Sequence, residues 1–204
     1  MDRLRMLVAT HNEGKFHEIA MLLEGHGLEL LSTSQFPIPE PLESGHTFSE
    51  NAAIKALSAA RYSQLPSIAD DCGIEIDSLG GIPGVLSKRF AEDCGSWEGA
   101  METLTSRLKG RHSMAKFCCG LAVAWPDGEY VSVTARVKGE FVAPRGIMGS
   151  GYDPCFLPED GLLTYGEMTS SHRNRHNHRA EAFSKLSPLV DWENLRMGEK
   201  SLGC

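Results

Sequence analysis

An α/β fold is predicted by three features of this sequence. Near the start, a short apolar run, an amphipathic stretch and a second apolar run follow one another as strand, helix and strand. A fully signalled helix start then follows a proline-rich loop. Further on, two β-rich runs meet at a Pro-Asp-Gly turn, a strong hairpin signal.

Element by element, Met6-Leu7-Val8-Ala9 reads as the first strand and Thr10 to Gly14 as a polar turn. Phe16, Ile19, Ala20, Leu22 and Leu23 recur at helical spacing, and Gly25 and Gly27 stop that helix. Leu28 to Leu31 is the next strand. Pro37, Pro39 and Pro41 mark a loop, and Thr47 with Glu50 forms a capping box for an Ala-rich helix running to about Tyr62. Ser67-Ile68-Ala69 and Ile74-Glu75-Ile76 read as two short strands on either side of Asp70-Asp71-Cys72-Gly73. Leu79 to Gly84 reads as a loop. A helix is expected over Trp97 to Leu108, and two β-rich runs lie between Ala115 and Val142, joined by Trp125 to Glu129. A bend over Gly146 to Gly151 leads into Tyr152-Asp153-Pro154, and a last helix spans about His178 to Leu186. Residues 1–187 form one expected domain, and 188–204 are a weakly patterned tail.

The 204 residues suffice for one substantial domain, and 41% hydrophobic with 23% charged residues excludes a mostly disordered chain. A net charge of −7 disfavours a general nucleic-acid coat, which needs excess cations. The longest apolar run, Phe117 to Trp125, is far below the roughly 20 residues of a membrane helix. No secretory signal is visible, and the six cysteines form no CxxC pair. Free thiols in a reducing cytoplasm are therefore expected, without membrane or stable nucleic-acid partners.

Four groups of residues carry candidate chemistry. Thr10-His11-Asn12-Glu13-Gly14-Lys15 joins a strand to a helix, where backbone N–H groups and the helix dipole favour an anion. It is not a Walker A loop, and a solvated turn would carry the same residues. Asp70-Asp71 suits a hard cation such as Mg²⁺ or the activation of a water; the alternative is an exposed capped turn. His172 to Arg179 packs three Arg and three His into an acidic chain. Arginine suits phosphate or a nucleobase carbonyl, whereas a solvated turn is the plain alternative. A zinc pair of His172 and His176 lacks an obvious third ligand. Lys55 shares a helix face with Asn51, one turn earlier; by spacing alone it is an ordinary wet-face lysine, and Glu43 is an ordinary loop residue.

Taken in order, Thr-x-Asn-x-x-Lys, Phe-x-Glu-Asn-Ala-x-x-Lys-Ala, Ala-Asp-Asp-x-Gly, Gly-Gly-x-Pro-Gly, Gly-Tyr-Asp-Pro-x-Phe and His-Arg-Ala run from about Leu7 to Leu186. The chain in this respect resembles the inosine triphosphate pyrophosphatase (RdgB-like) family, which removes non-canonical purine nucleotides. The resemblance implies an elongated α/β body with a long, twisted mixed sheet, helices flanking it, and two lobes around an active-site cleft. It implies a homodimer that hydrolyses ITP, dITP or XTP between the α and β phosphates with Mg²⁺, leaving the monophosphate and pyrophosphate. Thr10, Asn12, Lys15, Lys55 and Arg173 fall at triphosphate-holding positions, within a substrate loop that includes His11, Glu13 and Gly14. Glu43 and Asp71 fall at metal positions, and Asp71 also at the proton acceptor, with Asp70 in support. Ser150, Gly151, Tyr152, Asp153, His178 and Arg179 fall at base positions.

The chemistry fits independently. Lys15, Lys55, Arg173 and Arg179 would neutralise the roughly four charges of a triphosphate locally. Asp71 beside Mg²⁺ would deprotonate water, and the cation would stabilise the leaving pyrophosphate. A donor such as Arg179 matches the 6-carbonyl of inosine or xanthosine and opposes the 6-amino group of adenosine.

Some positions depart from the family pattern. Ser150 stands where an aromatic residue stacks on the base, a contact worth about 1–3 kcal/mol. Tyr152 is the ring nearest in sequence to replace it. Arg173 replaces a lysine, Asn177 a serine, and Cys72, which the resemblance counts among the substrate-binding positions, a serine. No base is placed beside Cys72 by sequence, so a nucleophilic thiol is not indicated. Two alternatives stay open: a pyrophosphatase with shifted base preference, motivated by Ser150, and a non-catalytic nucleotide- or RNA-binding module built on the Arg173 to Arg179 cluster.

Overall fold

The structure is a computed structural model in which residues 3–175 and 177–197 are described. In chain order the elements are β1 (Arg5–Val8), α1 (Glu13–Leu22), β2 (Glu29–Ser32), α2 (Phe48–Ser63) and β3 (Ser67–Ile76). They are followed by α3 (Ser87–Asp93), α4 (Trp97–Arg107), β4 (Ser113–Ala124), β5 (Tyr130–Phe141) and β6 (Phe156–Pro158). The described chain ends with α5 (Ser170–Arg173), α6 (His178–Leu186), β7 (Val190–Asp191) and β8 (Arg196–Met197).

The main sheet has the order β2-β1-β3-β4-β5-β6. It is mixed: β1 pairs parallel with β2 and with β3, whereas β5 pairs antiparallel with β6. Parallel neighbours need a crossover, and α1 and α2 supply them. The α/β expectation therefore holds, and the mixed sheet matches the resemblance.

By its contacts the chain divides into two compact units. The first takes residues up to Asp71, Cys119–Ala135, and the chain from Arg179 on; the second takes Cys72–Cys118 and Arg136–His178. In the first unit the apolar face of α2 consists of small residues. Ala52, Ala53, Ala56 and Ala60 form a buried cluster with Ala69 of β3 and Ala122 and Ala124 of β4. Small side chains bring the helix close to the sheet. Gly120 completes this approach, since a Cβ there would collide with the Phe48 carbonyl. The second unit has a larger-residue core, including Ile74, Ile76, Leu104, Phe117, Phe141 and Phe156.

The structure departs from the sequence reading in several places. The two short strands expected around Asp70–Gly73 are one ten-residue strand, β3, buried along nearly its whole length. Ionic pairing makes two adjacent acids tolerable inside it. Helix α3, the short α5 and strand β6 were not expected. Within the segment after Pro188, β7 pairs with β8, Trp192 and Leu195 are buried, and the Trp125 indole N–H donates to the Leu195 carbonyl at 2.6 Å.

Candidate active site

The turn before α1 is built by its own polar side chains. Asn12 caps the helix, its Oδ1 accepting from the Lys15 backbone N–H at 3.0 Å. Thr10 Oγ1 accepts from the Asn12 N–H at 3.2 Å, and Thr33 Oγ1 donates to the Thr10 carbonyl at 2.7 Å. His11 Nδ1 lies 3.5 Å from Thr33 Oγ1. His11, Asn12, Glu13 and Gly14 face solvent, while the Lys15 side chain reaches inward to Asp70.

Helix α2 starts with the expected reciprocal box of Thr47 and Glu50, which fixes where its first turns point. Asn51 and Lys55 then lie on one face, and both meet Asp71. The Asn51 amide donates to Asp71 Oδ2 at 3.2 Å, and Lys55 Nζ donates to Asp71 Oδ1 at 3.3 Å. The same ammonium is 2.8 Å from Glu43 Oε1. The Gly45 N–H donates to Asn51 Oδ1 at 2.8 Å, tying the loop that carries Glu43 to α2. Lys55 is thus a largely buried hub between two carboxylates, not a wet-face lysine.

Burial pushes the Asp71 carboxyl above the ordinary carboxylate range. The Lys55 charge opposes this, the Glu43 charge adds to it, and Asn51 and Lys15 oppose it without cancelling it. Burial alone would lower the Lys55 ammonium. Asp71, Asp70 and Glu43 outweigh both burial and the Lys15 charge, and hold it above its usual value.

Successive strand side chains diverge, so Asp70 has partners of its own. Its Oδ2 accepts from Arg179 Nη2 at 2.8 Å and Nε at 3.2 Å, and lies 3.0 Å from Lys15 Nζ. Arg179 Nη1 also donates to Glu18. Glu18 was missed in the sequence; its one signal is its place three residues after Lys15, on the same face of α1.

A hard divalent cation needs oxygen donors and keeps several waters. Glu43 and Asp71 supply two carboxylates within 3.3 Å of one point, the Lys55 nitrogen, with no sulfur or nitrogen donor required. The donor set fits such a cation, and its charge would offset the crowding of the two acids.

In the second unit, the Ser150 N–H donates to Asp153 Oδ2 at 2.8 Å, closing the turn over Gly151. Arg173 Nε lies 3.7 Å from the same Asp153 oxygen. The His178 ring stacks on Phe117 with centroids 4.2 Å apart and planes within 8°. Cys72 is half-buried. Tyr152 corrects the expectation that it replaces the missing aromatic platform. It is 1% exposed, sits in the core, and donates its hydroxyl to the Ser87 carbonyl at 3.3 Å. Of the cationic cluster, Arg173, His178 and Arg179 are buried, whereas His172 and Arg175 are exposed, so the solvated-turn reading fits only part of it. The zinc pairing involves His176, which lies outside the described residues.

The profile of the Ham1 family matches residues 6–189. The dITP/XTP pyrophosphatase of Caulobacter vibrioides is 45% identical over 190 residues, covering 91% of this chain and 97% of its own. That of Rhodopseudomonas palustris is 42% identical over 199 residues, covering 91% and 95%. A solved HAM1 protein from Coxiella burnetii superposes with a TM-score of 0.81 at 31% identity, covering 90% of this chain and 96% of that one. With a family profile matching residues 6–189 and relatives covered over more than nine-tenths of their length, the chain belongs to the Ham1 family.

Proposed function

We propose that this protein hydrolyses the non-canonical purine nucleoside triphosphates dITP, ITP and XTP to the monophosphate and pyrophosphate, with Mg²⁺. Relatives of matching length are named dITP/XTP pyrophosphatases. The observation that carries the reading is the Glu43–Lys55–Asp71 cluster, with Asn51 as its brace.

Asp71 is the proton acceptor in this reading. The Asn51 amide fixes the orientation of its carboxylate. Lys15 and Lys55 grip phosphate oxygens, each already held in place by an acid that the substrate's charge would replace as partner. The N-terminus of α1 adds backbone donors at the Thr10–Lys15 turn. Glu43 and Asp71 would hold the cation, which supplies charge stabilisation on the phosphate oxygens and the leaving pyrophosphate. Asp70 keeps Lys15 and Arg179 in place as a supporting group. Arg173 serves as a further phosphate donor, and Ser150, Gly151, Asp153 and His178 face the base. Arg179 acts first through Asp70 and second as a donor to a purine 6-carbonyl.

An RNA-binding reading of the cluster is less well supported, since Arg173, Asn177, His178 and Arg179 are only 6%, 2%, 5% and 5% exposed. A panel of nucleoside triphosphates with and without Mg²⁺, read by pyrophosphate and orthophosphate release, tests the proposal. Cation-dependent pyrophosphate release from ITP, dITP and XTP, with ATP and GTP poor, is expected. Release of orthophosphate, indifference to the cation, or no turnover would overturn it.

A further inference from the structure

Position 150 offers a base no ring, and Tyr152 is committed to the core. Another ring lies against the same turn. Trp97 opens α4, directly after Ser96, whose hydroxyl caps the helix by accepting from the Gly99 N–H at 3.0 Å. The indole is held edge to face by Tyr152, with centroids 5.2 Å apart and planes at 89°. Its six-membered ring runs along Gly151, 3.5–3.7 Å from where a Cβ at that residue would sit. Gly151 has φ of 61°, so the close, side-chain-free turn beside the indole is one that other residues adopt only under strain.

Trp97 is nonetheless 37% exposed. The other aromatic side chains described in this unit are Phe90, which is half-buried beneath Arg107, and Phe117, Phe141, Tyr152, Phe156 and Tyr165, which are buried. The two remaining tryptophans, Trp125 and Trp192, are buried in the first unit. An indole fixed on one side by an aromatic edge and on another by the glycine that follows Ser150, yet partly open to solvent, has the properties a base platform requires.

We propose that Trp97 is the stacking surface for the purine base, in place of the aromatic residue missing at position 150. This rests on the proposed function, of which it specifies the base subsite. Stacking accepts any π face, so Trp97 adds affinity for every purine and leaves the choice among purines to hydrogen bonds.

The test compares wild type, Trp97→Ala, Trp97→Phe and the double variant Trp97→Ala/Ser150→Phe. The measurements are KM for ITP and XTP, inhibition by pyrophosphate, and quenching of tryptophan fluorescence by IMP. Trp97→Ala should raise both KM values by about 5- to 150-fold, more than it lowers kcat, while pyrophosphate inhibition stays unchanged. Trp97→Phe should recover most of the loss, Ser150→Phe should restore binding in the double variant, and IMP quenching should vanish with Trp97. Unchanged KM values in Trp97→Ala would overturn the platform while leaving the pyrophosphatase reading intact. A parallel loss of pyrophosphate affinity would overturn it too, because it marks a merely structural role. Trp97-dependent IMP quenching in a protein that hydrolyses none of these triphosphates would support the platform and sink the reaction instead. No IMP binding at all would overturn the platform.

Discussion

In the first unit, the middle of β3 and the facing turns of α1 and α2 are organised by charge: Asp70 with Lys15 and Arg179, Asp71 with Lys55, and Glu43 with Lys55. In the second, residues 146–153 and Trp97 are organised by shape, through a backbone turn closed on Asp153 and rings packed edge to face. The two constructions respond to different things. A charge network exchanges partners when a cation or phosphate arrives, because opposite charges are matched by sign more than by shape. A ring packed on a glycine has one arrangement and keeps it. The proposed function accordingly puts bond-breaking chemistry in the first region and passive affinity for a flat base in the second.

Asp71→Asn breaks this division of labour most severely. In the proposed mechanism it removes the proton acceptor and one cation ligand, so kcat should fall by about 10²–10⁴-fold. The melting temperature should change little, since relief of a buried charge offsets the lost Lys55 contact. Steady-state kinetics and calorimetry on one preparation decide it, and full turnover would end the role of Asp71.

Asp70→Asn should do the opposite. It removes the carboxylate that Lys15 and Arg179 share, leaving Arg179 its contact with Glu18, and breaking a buried pair of this kind costs roughly 3–5 kcal/mol. Denaturant unfolding should show that loss, and KM should rise more than kcat falls. A stable variant with kcat abolished would mean that the two aspartates have exchanged roles.

A smaller effect sharpens the electrostatics. The Asn51 hydrogen bond lowers the Asp71 carboxyl against the rise from burial. Without it the carboxyl must hold its proton to higher pH, so in metal-free Asn51→Ala the Asp71 carboxyl resonance should titrate at higher pH than in wild type. A downward or absent shift would contradict the geometry.

The smallest expectation concerns the shape-built region. Burial pushes the Cys155 thiol up to about 12 and raises Cys118 strongly as well. Iodoacetamide at pH 8 should leave both unlabelled in the folded protein, and rapid labelling of Cys155 would show that the core around Tyr152 opens.

Much of the charge-built region was legible in the sequence, because capping boxes, adjacent acids and clustered arginines are local patterns. Thr47 with Glu50 and the Asp127-Gly128 turn stand where those patterns put them. The partners were less legible. Lys55 looks like a surface lysine until α2 is laid on β3, and Glu18 has no meaning before Arg179 folds back to it. The break expected in β3 reflects a rule that buried strands avoid acids, which ion pairing overrides here. Tyr152 and Trp97 could not be sorted by sequence into core and surface, since both are single rings in irregular or terminal positions without periodicity. The β7–β8 pair depends on isolated anchors, Trp192 and Leu195, which carry no repeat.

In the proposed mechanism Glu43 and Asp71 together hold the divalent cation that serves the triphosphate. Binding of Mn²⁺, followed by electron paramagnetic resonance in wild type and in Glu43→Gln/Asp71→Asn, tests it most directly. The account expects one Mn²⁺ per chain, bound more tightly when IMP and pyrophosphate are present, and at least a tenfold weaker affinity in the double variant. Equal Mn²⁺ affinity in the two proteins would contradict it.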